Sequence, residues 1–273
     1  MSKRIQLFCT DLDGTIYGND AASKRFGQFW QSAPLNHRPR LCYNSGRLVA
    51  DQLELIAAGK LLRPDFLIGG VGTEIFEMAG SRFLTQLNES WLASGWDVRA
   101  VEFILNRKHG IQQQPESFQT TFKSSWFWPN LTPAHLDSIR KEFNNAGLRV
   151  SIVYSSKRDL DVLPAGADKG AALRWLCNHL QISMSSVVVA GDSANDAALF
   201  ELRNVRGILV SNHHEELSRG ALARSVFRAS NAEADGVIEG LRHFLYWNQN
   251  ARSYGNIPSN HSRADRGDTK PLP

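Results

Sequence analysis

Asp11 and Asp13 stand one residue apart in FCTDLDGT (8–15), where an apolar run ends in two negative charges. Neighbouring carboxylates disfavour each other's ionisation, so the pair calls for a cation, a shared proton or full exposure to water. Three more places carry residues of the same kind. Ser45 closes RLCYNS, Lys169 opens DKGAAL, and Asp192 ends the run in VVVAGDSAND, with Asp196 four residues later. Asp11, Asp13 and Asp192 would form a hard oxygen site suited to Mg2+, an ion that takes carboxylates together with substrate phosphate. Lys169 adds a second positive charge. The Ser45 hydroxyl and the backbone N–H groups after Asp11 can hold phosphoryl oxygens. The chemistry these types suit is in-line phosphoryl transfer without a nucleotide-binding loop.

Each residue alone has an ordinary explanation as a cap, a turn former or a solvated lysine. Their positions argue otherwise. IQLFCT, RLCYNS, DFLIGGV, SVVVAGD and RGILVSN are short continuous apolar runs, read as buried strands. Between them SKRFGQFWQS, RLVADQLELIAAGK, DKGAALRWLCNHL, NDAALFELRN, EELSRGALA and EADGVIEGLRHFLYW read as helices, with VFRAS a further short strand. Such alternation indicates a doubly wound α/β fold, a mostly parallel sheet covered on both faces. In open sheets of this kind ligands bind at the carboxyl ends of the strands, where Asp11, Asp13, Ser45 and Asp192 fall, and Lys169 at its helix start could join them on one rim.

The alternation breaks between 83 and 163. That segment offers helices near 88–107, an 11-residue strand FQTTFKSSWFW, the helix TPAHLDSIRKEFNNAG, and the strands LRVSIVYSS and DLDVLP. Thr132 followed by Pro133 reads as an N-cap and first helical residue, and Gly147 as a stop. We expect an inserted α+β domain at 83–163, a core made of 1–82 and 164–247, and a polar, disordered tail over 248–273.

Composition bounds the rest. The 273 residues are 42% apolar and 21% charged with a net charge of +4, as in an ordinary globular protein, and no basic run reads as a nucleic-acid tail. Three scattered cysteines without a CxxC pair argue against a disulfide framework or a thiolate metal site. No signal peptide or membrane span is seen, so a cytoplasmic location is expected. SNHHEE reads as a solvated turn, and GGVGTE as a tight turn near the site, which brings Thr73 and Glu74 to the substrate.

DLDGT, YNSGR, DKGAAL and GDSAND, in that order, resemble the four motifs of the haloacid dehalogenase superfamily of phosphohydrolases, and the insertion resembles its type IIB cap. The resemblance covers about residues 5 to 245. YNSGR, GGVGTEIF, KSSWF, VYSSKRDLDVLP and ADGVIEGLRHF are similar to the sucrose-phosphate phosphatase family, including its bacterial mannosylfructose-phosphate branch. The resemblance implies a Rossmann-like core and a Mg2+-dependent phosphatase of a disaccharide phosphorylated on fructose, mannosylfructose phosphate or sucrose phosphate. It implies Asp11 as nucleophile and Asp13 as acid and base. Asp11, the Asp13 backbone carbonyl and Asp192 would hold the metal, with Asp196 and Asn195 orienting the groups around them.

Substrate choice would lie in the cap. If FQTTFKSSWFW is one strand, Phe118, Phe122, Trp126 and Trp128 share one face, packed on the cap helix through Leu136, Ile139 and Phe143. Gln119, Thr121, Lys123 and Ser125 share the other. An open solvated face fits that pattern equally; the resemblance favours sugar binding there, with Lys123 first. Arg47 and Asp159 complete the expected substrate contacts. A phosphatase of another sugar phosphate, such as a mannosyl- or glucosyl-glycerate phosphate, and a sugar phosphomutase are the alternatives. The expected partner is the small phosphosugar, with a cognate glycosyltransferase as a candidate protein partner and no nucleic acid or membrane.

Overall fold

The computed structural model describes residues 4–85, 95–219 and 225–245. From edge to edge an eight-stranded sheet runs Ser225–Arg228, Arg206–Leu209, Val187–Gly191, Leu7–Thr10, Arg40–Asn44, Phe66–Gly69, Glu74–Glu77 and Arg82–Thr85, and a separate four-stranded sheet runs Gln112–Gln113, Ser124–Phe127, Asp159–Pro164 and Val150–Ser155. In the larger sheet β1 (Leu7–Thr10), β2 (Arg40–Asn44), β3 (Phe66–Gly69), β10 (Val187–Gly191), β11 (Arg206–Leu209) and β12 (Ser225–Arg228) run parallel. Side chains alternate across it. Phe8 faces a core shared with helices Asp20–Ser32 and Glu233–Leu245, while Leu7 and Cys9 face one shared with helix Lys169–His179. Phe8, Phe26 and Trp30 pack as tilted rings within 5.7–6.4 Å of one another, centroid to centroid, in the first core.

Sequence reading missed a hairpin. β4 (Glu74–Glu77) and β5 (Arg82–Thr85) run antiparallel beside β3 and extend this sheet three residues into the expected insertion. The smaller sheet contains β6 (Gln112–Gln113), β7 (Ser124–Phe127), β8 (Val150–Ser155) and β9 (Asp159–Pro164), all antiparallel. Helices Val98–Leu105 and Pro133–Asn145 cover one of its faces, with Trp126, Leu160, Val162, Ile139 and Phe143 in the core between. Thr132 Oγ1 accepts the His135 N–H at 3.3 Å, closing the N-terminus of helix Pro133–Asn145.

The 11-residue strand is corrected: only Ser124–Phe127 is extended, because Thr120 and Lys123 exchange backbone hydrogen bonds across a tight turn. The side-chain amide of Gln119 takes the place of a strand neighbour, accepting from Ser125 N at 2.8 Å and donating to Ser125 O at 2.9 Å. Phe122, expected against the cap helices, packs instead on Val71 and Leu163. The first part of the expected 88–107 helix, the end of EELSRGALA and the tail 248–273 lie outside the described residues. Among the described residues no helix is long and apolar enough to cross a membrane.

Candidate active site

Strands β10, β1 and β2 are neighbours, so their carboxyl ends bring Asp192, Asp11 and Ser45 to one edge. Lys169 arrives from the first turn of its helix, whose N-cap Asp168 accepts the Ala171 N–H at 2.6 Å. The Lys169 ammonium is fully buried and donates to Asp11 Oδ1 at 2.6 Å, Asp196 Oδ1 at 2.7 Å and Asn195 Oδ1 at 2.8 Å. Asp196 Oδ2 accepts the N–H groups of Asp192 at 3.0 Å and Ser193 at 3.1 Å. Two glycines permit this crowding. A Cβ on Gly191 would sit 2.5 Å from the Asp196 carboxyl carbon, and one on Gly14 would sit 2.5 Å from Asp192 Oδ2. Gly14 also holds φ +78°, which favours glycine.

Asp11, Asp192 and Asp196 each place an oxygen within 4.8 Å of the others, all buried. Burial first, then the Asp196 charge, pushes Asp192 up to about 6. The same two causes push Asp11 well above the ordinary carboxylate range, against the pull of Lys169. Burial works to lower the Lys169 pKa, but Asp11 and Asp196 more than reverse it, so the net shift is upward. Three carboxylates facing one ammonium keep a surplus of negative charge, and every donor is oxygen. That donor set fits a hard divalent cation.

Asp13 is apart from this cluster. Its carboxylate takes both donors of a fork from Arg47, Nε to Oδ2 and Nη2 to Oδ1, each at 2.7 Å. Ser45 is buried, and its Oγ accepts the Arg47 N–H at 3.1 Å. Thr73 and Glu74 are occupied in building the turn. Thr73 Oγ1 donates to Gly70 O at 2.9 Å, and Glu74 Oε2 accepts the Val49 N–H at 2.7 Å, closing the start of helix Val49–Ala57.

The uncovered face of the smaller sheet turns toward this edge, since its Leu163 and Val153 meet Val71 of the core. Lys123 is 2% exposed, 3.2 Å from Asp161 Oδ1, and its Cδ would lie 3.7 Å from a Cβ on Gly70. Ser125 Oγ donates to Asp161 Oδ1 at 2.6 Å, and Gln114 Nε2 reaches Asp159 Oδ1 at 3.4 Å. Burial raises the Asp159 pKa. Asp161 is thus on the polar side with Lys123 and Ser125.

Two contributors went unread. Thr15 Oγ1 donates to Asp192 Oδ1 at 3.2 Å. SNHHEE, taken for a solvated turn, braces the site: the His214 N–H donates to Asp192 O at 2.7 Å and Asn212 Nδ2 to Gly14 O at 2.8 Å. Asn and His after an apolar strand were the only signal, and turn composition gives the same one.

Known proteins resemble this chain. The mannosylfructose-phosphate phosphatase of Agrobacterium fabrum is 45% identical over 92% of this chain and all of that protein. Sucrose-phosphatase 2 of Nicotiana tabacum is 31% identical over 87% of this chain, which spans 58% of that longer protein. The Synechocystis sucrose-phosphatase, solved with sucrose and phosphate, superposes with a TM-score of 0.78 at 28% identity, over 89% of this chain and 98% of that one. With residues 4–245 matching the family of sucrose-6F-phosphate phosphohydrolases, the chain that builds this aspartate and lysine site belongs to that family.

Proposed function

We propose that the protein is a Mg2+-dependent phosphatase that cleaves the phosphomonoester of a fructose-containing disaccharide phosphate, mannosylfructose phosphate or sucrose phosphate. The observation that carries this is Lys169, bound at 2.6–2.8 Å to Asp11, Asn195 and Asp196 beneath a polar sheet face. Asp11 attacks phosphorus with one carboxylate oxygen while Lys169 holds Oδ1, and the bond from phosphorus to the sugar oxygen breaks. Asp13 gives its proton to that leaving oxygen. It then takes a proton from the water that attacks the phosphoaspartate, which returns Asp11 as a carboxylate and releases phosphate. Ser45 holds a phosphoryl oxygen as charge builds on it, and Lys169 keeps Asp11 in place.

Asp196 has its oxygens engaged by Lys169 and two backbone N–H groups, so Asp11 and Asp192, with the Asp13 carbonyl, would hold Mg2+. When bound, the ion neutralises the carboxylates and the phosphate so that anion can approach anion. On the cap, Lys123, Ser125, Asp159 and Asp161 would meet the sugar hydroxyls, and Arg47 the phosphate. A cytoplasmic location and a glycosyltransferase that makes the phosphosugar complete the reading.

Phosphate release with Mg2+, compared by kcat/KM on the two disaccharide phosphates and with Asp11→Asn as blank, tests it. A hundredfold preference, about 2.7 kcal/mol in the transition state, would name the substrate. Equal high rates would mean the phosphofructosyl half is what the cap reads, and negligible rates on both would overturn the proposal.

A further inference from the structure

The fork by which Arg47 holds Asp13 is the geometry in which a guanidinium fits a carboxylate or a phosphate equally well. A carboxyl held through both oxygens is poorly placed to hand a proton to a leaving group, so the pair must open before Asp13 can act. Its surroundings permit that. The two side chains are 31% and 51% exposed, so water can solvate both groups as the fork opens. The backbone of Arg47 is fixed by its N–H bond to Ser45 Oγ at 3.1 Å, beside a hydroxyl assigned to phosphate binding. One flexible side chain therefore has two anion positions within its sweep. Its guanidinium also lies 5.4 Å from the centre of the Tyr17 ring, and Tyr17 O accepts the Gly14 N–H at 2.9 Å. That ring is a shelf attached to the loop that carries Asp13, and a cation can rest on it in either position.

We infer that Arg47 is a substrate-operated latch, holding Asp13 in the resting enzyme and moving to the phosphoryl oxygens when a phosphomonoester enters, which frees Asp13 for the leaving oxygen. The inference rests on the phosphatase reading above. Arg47 makes and breaks no covalent bond; its N–H groups exchange one pair of acceptors for another. The return of Arg47 to Asp13 then accompanies departure of inorganic phosphate.

A double-mutant cycle on phosphate binding tests the latch. Asp13→Asn, Arg47→Gln and the double variant are titrated with inorganic phosphate in Mg2+ by calorimetry, with circular dichroism to show that each folds. Removing the Asp13 charge favours anion binding in either background, and that common gain cancels in the cycle. Only where Arg47 is present does Asp13→Asn also release the guanidinium from its partner. Asp13→Asn should therefore tighten phosphate binding about three- to fivefold more with Arg47 present than in the Arg47→Gln background. Equal effects in the two backgrounds would overturn the latch, as would a wild-type protein that turns over substrate yet binds no phosphate. Wild-type turnover is measured in parallel. Its absence on every sugar phosphate would remove the phosphatase reading, whereas turnover with an additive cycle would remove the latch alone.

Discussion

Replacing Lys169 by Met removes a buried ammonium while leaving most of its volume filled. The side chain is fully buried and donates at 2.6, 2.7 and 2.8 Å to Asp11, Asp196 and Asn195, so three acceptors lose their donor together. Taking one partner from a buried ion pair costs about 3–5 kcal/mol, because the stranded charge stays buried. In a chain of this size each kcal/mol is worth about 2–4 °C, which gives a Tm loss of roughly 6–20 °C. Protons set where that loss appears. Asp192 stands at about 6, raised by burial and then by Asp196, and Asp11 is raised well above the ordinary range by the same causes. A carboxyl raised in the folded state binds more protons folded than unfolded. The associated stability is full below the unfolded value near ~4 and is lost as pH rises through the folded value. Lys169 limits that loss. Its removal should therefore cost less at pH 5, where Asp11 and Asp192 take up protons, than at pH 8. Thermal unfolding in EDTA at both pH values measures this. A loss as large at pH 5 as at pH 8, or none at either, would refute the reasoning.

The remaining predictions concern the metal, the cap and the turn beside the nucleophile. Mg2+ should raise the wild-type Tm more at pH 8 than at pH 5, since protons compete for Asp11 and Asp192; equal shifts would place the ion elsewhere. Gly14→Ala, which sets a Cβ 2.5 Å from Asp192 Oδ2, should weaken Mg2+ binding about tenfold or more in a calorimetric titration. Thr132→Ala should lower Tm by about 2–4 °C, the worth of ~1 kcal/mol for a lost N-cap, with kcat unchanged at 25 °C. Asp161→Asn, which weakens the tie to Ser125 at 2.6 Å and Lys123 at 3.2 Å, should raise KM about tenfold with a much smaller change in kcat.

How far the sequence could be read depends on how local each feature is. Asp11, Ser45 and Asp192 each sit at the end of an apolar run, and the pattern of a parallel sheet places such ends together. The helix cap at Thr132 and the strands Val150–Ser155 and Asp159–Pro164 were legible for the same reason, being written in adjacent residues. The β4–β5 hairpin was hidden because GGVGTE reads as a tight turn, and nothing adjacent shows that Glu74 opens a strand and closes a helix 25 residues away. The strand at 118–128 failed because the Gln119 amide imitates a neighbouring strand, and alternation reports which faces differ without reporting where the chain folds back. The fork from Arg47 to Asp13 joins residues 34 positions apart, and no spacing rule marks it.

The charges around the site constrain the order of events. Asp11, Asp192 and Asp196 face a single buried ammonium, so a divalent cation closes the balance without added protons. A phosphomonoester then brings new negative charge, and cations must be redirected to meet it. Lys169 has no exposed surface and is tied to two carboxylates, while Lys123 is 2% exposed beside Asp161. Freeing either would strand a buried charge, at a cost of several kcal/mol by the usual measure of buried pairs. Arg47 is in a pair open to water, so opening it strands no buried charge. Of these three cations it is the one an arriving phosphate can capture most cheaply, and the carboxylate it leaves behind is the one whose work begins at that moment.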